Sequence, residues 1–90
     1  MDFEWSEQKS NANVLKHQVT FEEATTVFND ALFVNFLDTF HSDAEERYIA
    51  LGRSATGRVI SVCYTMREGK TRLISARKVT AWERRVYQEG

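Results

Sequence analysis

The sequence predicts an α+β domain, a mostly antiparallel sheet with two N-terminal helices and one C-terminal helix. Three observations lead there. Four apolar or alternating runs follow one another between Leu32 and Val79 at hairpin spacing. Thr20 with Glu23, and Thr80 with Glu83, have the spacing of capping boxes and mark helix starts before and after those runs. The 90 residues contain no proline, repeat or low-complexity linker, so one domain over 1–90 is expected.

In chain order, Phe3-Glu4-Trp5 reads as a short edge strand. Ser6 is an N-cap for a helix to about His17, with Glu7 in its first turn. Gln8, Asn11, Ala12 and Leu15 share one face of it, and Lys9, Asn13 and Lys16 share the other. Lys16 and His17 complement the dipole at its end, a role that leaves a functional one open. The next helix, Phe21 to about Asn29, carries a core stripe of Phe21, Ala24 and Phe28 with Val27 beside it. A strand from Leu32 to Leu37 precedes the polar loop Asp38 to Ala44. His41 there, with Asp38 and Asp43, is only a weak metal signal, because no second His or Cys accompanies it.

Tyr48 to Gly52 is a short strand, and Ser54 to Gly57 a turn. Arg58 to Arg67 is the longest strand, alternating Ile60, Val62, Tyr64 and Met66 against Ser61, Cys63 and Thr65. Glu68-Gly69 fits a two-residue hairpin in which Gly takes a positive φ. The strand from Thr71 to Val79 is expected to point Ile74 and Ala76 one way and Leu73, Ser75, Arg77 and Val79 the other. On the last helix Trp82 and Val86 lie four apart, a face expected to pack on the sheet.

A chain of this length buries only about 60–65% of its unfolded surface, which favours a shallow surface site over a deep pocket. The lone Cys63 excludes an internal disulfide framework, fits a reducing compartment, and reads as a small buried hydrophobe. No signal peptide and no apolar run near eighteen residues are visible, so a cytoplasmic protein without a membrane partner is expected. The net charge of −1 hides an asymmetry. Met1 to Glu46 carries −8, and Arg47 to Gly90 carries +7. Eight of the ten bases in the second half are Arg, whose fork suits bidentate phosphate contacts. That half therefore reads as a nucleic-acid surface, unless the two halves fold together and cancel.

One set of fragments resembles a known family in order and over nearly the whole chain. They are Phe3-Glu4-Trp5, Asn13-Val14-Leu15-Lys16-His17-Gln18-Val19-Thr20-Phe21-Glu22-Glu23-Ala24, Glu45-Glu46-Arg47, Gly52-Arg53, Arg72-Leu73-Ile74-Ser75-Ala76-Arg77-Lys78, and Glu83-Arg84 with Tyr87. Together they resemble the BrnT toxins of bacteria. Gln18 stands where the family usually has Gly, and the loop Asp38 to Ala44 lacks the family's prolines.

The resemblance implies a RelE-like fold and a ribonuclease that stops translation. It implies a ribbon-helix-helix antitoxin of the BrnA type, a dimer of heterodimers, and operator DNA bound only through the antitoxin. Metal-free RNA cleavage needs a base for the 2′-hydroxyl, charge stabilisation at phosphorus, and a proton for the leaving oxygen. For charge stabilisation the candidates are Arg77 first, then Arg53 and Arg47. For proton transfer they are Glu46, His17 and Tyr87. Lys16, Arg72, Lys78, Arg84 and Arg85 are candidates for holding the RNA backbone. No cofactor is implied. The competing reading is a non-catalytic RNA-binding or protein-interaction module, an inactive homologue of the toxin.

Overall fold

The computed structural model describes residues 1–90, in the order β1 (Phe3–Glu4), α1 (Glu7–His17), α2 (Phe21–Thr25), a 3₁₀ turn (Thr26–Asn29), β2 (Val34–Leu37), β3 (Tyr48–Arg53), β4 (Val59–Arg67), β5 (Lys70–Lys78) and α3 (Ala81–Glu89). The sheet order is β1-β5-β4-β3-β2. Only β1 runs parallel to its neighbour, so the sheet is mixed with four consecutive antiparallel strands. Adjacent strand residues point to opposite faces, and each face has its own apolar cluster. Val19, Phe21, Ala24 and Val27 meet Ala50, Ile60, Val62, Leu73 and Ala76 on one face. Leu51, Val59 and Tyr87 meet under α3 on the other, with Val86 and Phe36 packed against them.

The alternation expected for β5 fails at its middle. Cys63 pairs with Ser75, but Tyr64 pairs with Leu73, so Ile74 is the extra residue of a β-bulge. The bulge puts Leu73 and Ala76 on the same face, both fully buried in the larger cluster. Ser75 and Arg77 remain on the α3 side. The β4–β5 turn needs positive φ at both central residues, 52° at Glu68 and 79° at Gly69, which matches the right-handed strand twist.

The second helix is also divided. Thr25 and Thr26 turn their hydroxyls back to the carbonyls of Glu22 and Glu23, 2.7 and 2.6 Å away, and the chain tightens there into the 3₁₀ turn. With three residues per turn, Phe21, Ala24 and Val27 line up and are all fully buried. Gly52 is required opposite them, since a Cβ there would lie 2.7 Å from Val27 Cγ1. Thr20 caps the Glu23 N–H, but the Glu23 carboxylate does not complete a capping box. It binds the Arg58 guanidinium at 2.6 and 2.8 Å and takes the Ser54 and Thr56 hydroxyls as well. β2 begins at Val34, because Leu32 lies in a turn held by the Asp30 carboxylate.

α1 is fixed by a polar residue rather than an apolar stripe. Leu15 is 87% exposed, while Asn13 is buried. β1 covers only Thr71 and Arg72 of β5, which leaves the backbone of Ala76 on a bare strand edge. The Asn13 amide fills that edge, donating to the Ala76 carbonyl (2.9 Å) and accepting from its N–H (3.0 Å). It also donates to Val19 O at 2.8 Å. Gln18 closes the helix in the left-handed region (φ 60°), its N–H on Val14 O, so the bend survives without glycine.

Two outcomes follow. Asn13→Ala removes three hydrogen bonds from buried backbone partners and is expected to cost about 3 kcal/mol in urea unfolding. The Arg58 guanidinium lowers the Glu23 carboxyl from 4.5 to about 2, against the opposing effect of burial, with Ser54 and Thr56 adding to the shift. A depressed carboxylate stabilises the fold above its unfolded pKa. That stability is expected to be lost as pH falls from 4.5 toward about 2, and Glu23→Gln to flatten this limb in unfolding measured against pH.

Candidate functional site

Arg77 leaves β5 on the α3 face, six residues before Glu83. Thr80 caps α3 by accepting from the Glu83 N–H, and the Glu83 carboxylate reaches back to the Thr80 N–H at 2.9 Å. The same carboxylate takes Arg77 end-on, Nη1 to Oε1 at 2.7 Å and Nη2 to Oε2 at 3.0 Å. Arg77 Nη1 also donates to Lys78 O, while Nε makes no protein hydrogen bond. Burial pushes the Glu83 carboxyl up, but the Arg77 guanidinium and the Thr80 N–H outweigh it and hold it below the usual carboxylate range. Glu83 reciprocally raises Arg77. A fixed, permanently charged guanidinium therefore stands at the edge of an open cleft.

The cleft, about 190 Å³, lies over Ser61, Cys63 and Ser75, with Arg77 on one wall and Arg47 on the other. Burial raises the Cys63 thiol, which keeps it neutral at ordinary pH. Asp38 and His41 stand beside Arg47, and Ile74 and Ser75 continue into a second groove of about 220 Å³ lined by Lys9, Lys16 and His17. On the α3 side, Phe36, Phe40 and Trp82 line an apolar hollow that also reaches Arg77 and His41. Within about 8 Å, the Debye length at physiological salt, such charges act together on one polyanion.

The sequence candidates divide accordingly. Arg77 and Arg47 come together, and Lys16 and His17 reach the adjoining groove. Arg53 does not join them. α3 crosses β3 at Leu51, and Arg53 emerges beyond it, its Nη1 on Gly57 O at 2.6 Å. Tyr87 is there too, its hydroxyl donating to Asp30 Oδ2 at 2.7 Å. The Arg53 N–H shares that oxygen, and this hydrogen bond with that of Tyr87 lowers Asp30. The Asp30 carboxylate raises Tyr87 in turn, so this cluster is an ion-stabilised clamp on the end of α3. Glu46 accepts from the Tyr48 hydroxyl, on the sheet face opposite Arg77. Arg72 is paired with Glu4 at 3.1 Å. Lys78, Arg84 and Arg85 are exposed and carry no ion pair.

Part of the charge asymmetry cancels on folding, through Arg58 with Glu23, Arg72 with Glu4 and Arg67 with Glu45. Trp82 departs from expectation, being 56% exposed and edge-on to Phe36, with ring centres 6.4 Å apart. Glu83 and Tyr87 occupy the buried face of α3 instead. Glu83 was legible as a capping residue, but its grip on Arg77 depends on how the strand turns into the helix. His41 meets Asp38, and no group of three His, Cys, Asp or Glu side chains assembles around it.

An open, arginine-lined cleft on a small α+β sheet places fixed positive charge at the surface of this small domain. The chain matches the family model described as "Ribonuclease toxin, BrnT, of type II toxin-antitoxin system" over residues 5–83. It belongs to the BrnT family of ribonuclease toxins, and that membership implies an antitoxin partner. The crystal structure of the Brucella abortus ribonuclease toxin BrnT shares its fold, with a TM-score of 0.69 and 22% identity. The match covers 89% of this chain and 97% of that one. No curated protein shows a significant match. No helix is long and apolar enough to cross a membrane.

Trp82→Ala is expected to cost less than about 1.5 kcal/mol, against about 3–5 kcal/mol for a fully buried ring. Thermal unfolding of the variant checks this. A larger loss would mean that the Phe36 contact carries more of the α3 packing than its exposure allows.

Proposed function

We propose that residues 1–90 form one endoribonuclease toxin domain with a RelE-like fold, which cleaves RNA without a metal ion at the Arg47–Arg77 cleft. One observation carries this reading: in a chain of a ribonuclease toxin family, two arginines face each other across an open cleft. One of them is locked by a buried carboxylate. Arg77 would hold a non-bridging phosphate oxygen through its Nε–Nη2 side, and Arg47 would stabilise the negative charge from the opposite wall. Lys9 and Lys16 extend the positive track along the neighbouring strand of RNA. Trp82, Phe36 and Phe40 offer aromatic faces to a flanking base, a contact worth about 1–3 kcal/mol.

Such a cleft is silenced by covering it. A BrnA-type ribbon-helix-helix antitoxin, with an acidic segment laid over Arg77 and Arg47, would do so. A dimer of heterodimers would then hold operator DNA through the antitoxin alone. The exposed Lys78, Arg84 and Arg85 are free to fix the register of that segment. Arg53, Tyr87 and Glu46 act in this reading through the fold, on α3 and β3, not at phosphorus. A chain with its antitoxin in place works in the cytoplasm.

The test is purified protein with RNA in EDTA, alone and in a translating extract. Cleavage leaving a 2′,3′-cyclic phosphate is expected. Arg77→Lys keeps the charge but loses the fork, and its rate should fall by roughly 10²–10³-fold, the effect of one fixed donor. Arg77→Ala strands the Glu83 carboxylate. With Arg77 40% exposed, a stability loss of about 1–2 kcal/mol is expected, below that of a fully buried pair. Arg77→Ala with Glu83→Gln should regain part of that stability and stay inactive. RNA bound but left intact would favour the non-catalytic module.

A further inference from the structure

We propose that His41, oriented by Asp38, is the general base that takes the 2′-hydroxyl proton in the Arg47–Arg77 cleft. The inference rests on the ribonuclease reading above and supplies its missing proton acceptor. His41 Nδ1 lies 2.9 Å from Asp38 Oδ2. A carboxylate accepts, so Nδ1 donates, and in the neutral ring Nε2 is the nitrogen with the lone pair. The ring is 69% exposed, and it lines both the arginine cleft and the aromatic hollow beside it.

The loop that carries the pair is tied to Arg47 itself. The Asp38 N–H donates to Arg47 O at 2.7 Å. Ser42 Oγ donates to Asp38 O at 2.5 Å and accepts from the Arg47 N–H at 2.9 Å. Asp38 Oδ1 accepts from the Phe40 N–H, which leaves Oδ2 for the imidazole. The imidazole and its carboxylate are therefore tied to the backbone that carries Arg47, although their loop has no regular secondary structure.

The other proton acceptors fit less well. Glu46 lies on the far face of the sheet, Tyr87 is bonded to Asp30 beyond α3, and Cys63 is held neutral. His17 sits in the neighbouring groove, past Ile74 and Ser75. In the reaction, the 2′-oxygen bonds to phosphorus as His41 Nε2 takes its proton, and Asp38 stabilises the imidazolium. The bond from phosphorus to the 5′-oxygen breaks, and that oxygen takes a proton from water. The products are a 2′,3′-cyclic phosphate and a 5′-hydroxyl, and the imidazolium releases its proton to solvent.

Charged neighbours around the ring are mixed. Asp38, Asp43, Glu45 and Glu83 line the hollows it borders. Arg47, Arg67 and Arg77 line them too, and the Cys63 thiol is neutral. A base must be unprotonated, so kcat/KM should rise with pH and then level off.

The experiment measures cleavage of a defined RNA by the wild type, Arg77→Ala, His41→Ala, His41→Gln and Asp38→Asn, with and without a translating extract. Both His41 variants are expected to keep the wild-type melting curve and RNA KM and to lose roughly 10²–10⁴-fold in kcat. Their residual rate should no longer show the acid limb, and Asp38→Asn should give an intermediate loss. His41 variants within twofold of the wild type, beside an inactive Arg77→Ala, would remove His41 and leave the ribonuclease reading standing. A limb on the alkaline side would make His41 an acid and overturn the base role. A wild type inert toward RNA under both conditions would overturn both readings.

Discussion

One carboxylate holds this molecule's candidate chemistry in place. Glu83 is the third residue of α3, and it is shared between the Thr80 N–H, which it caps, and the Arg77 guanidinium, which it grips through both oxygens. A helix N-terminus favours an anion there, so the capping requirement and the ion pair reinforce each other. Removing either partner would free both the end of α3 and the orientation of the arginine. The position of Arg77 and the docking of α3 are thus one constraint.

That constraint decides how the basic half of the chain is used. Ile49, Leu51 and Arg53 alternate onto one face of β3 with Arg47 just before it, but α3 lies over Leu51 and divides them. Arg47 falls on the side of Arg77, and Arg53 falls beside Tyr87 and Asp30. Three further arginines are turned toward acids of the first half and help close the fold. Charge that looks like a single surface in the sequence is spent in three ways: cleft, clamp and closure.

The cleft is also assembled from elements with little local order. The polar loop after β2 has no helix or strand, yet Ser42 and the Asp38 backbone fasten it to Arg47. The β-bulge at Ile74 supplies the other wall, because it lets Leu73 and Ala76 enter the core while Ser75 and Arg77 face outward. Without it, β5 could not fill the core on both sides of its midpoint and still present Arg77 next to Ser75. Family membership and fold agree with a ribonuclease toxin, and the geometry offers such a protein an open, cationic site with aromatic walls.

The element order, all three helix N-caps, the hairpin at Glu68-Gly69 and the α+β class were legible in the sequence, because each depends on residues a few positions apart. Arg77 stood out for the same reason, as a base on a strand that runs directly into a capped helix. What only the tertiary structure decided depends on distant partners. Asn13 shares a helix face with Lys9 and Lys16, yet it is buried, because the strand edge it completes is 63 residues away. Trp82 was placed inside and lies half outside, because the space under α3 is taken by Glu83 and Tyr87. The bulge at Ile74 left no sign in a run whose polarity fits either register. His41 and Asp38 were visible as neighbours, but only folding sets them beside two arginines, since neither loop contacts nor strand crossing can be read from spacing.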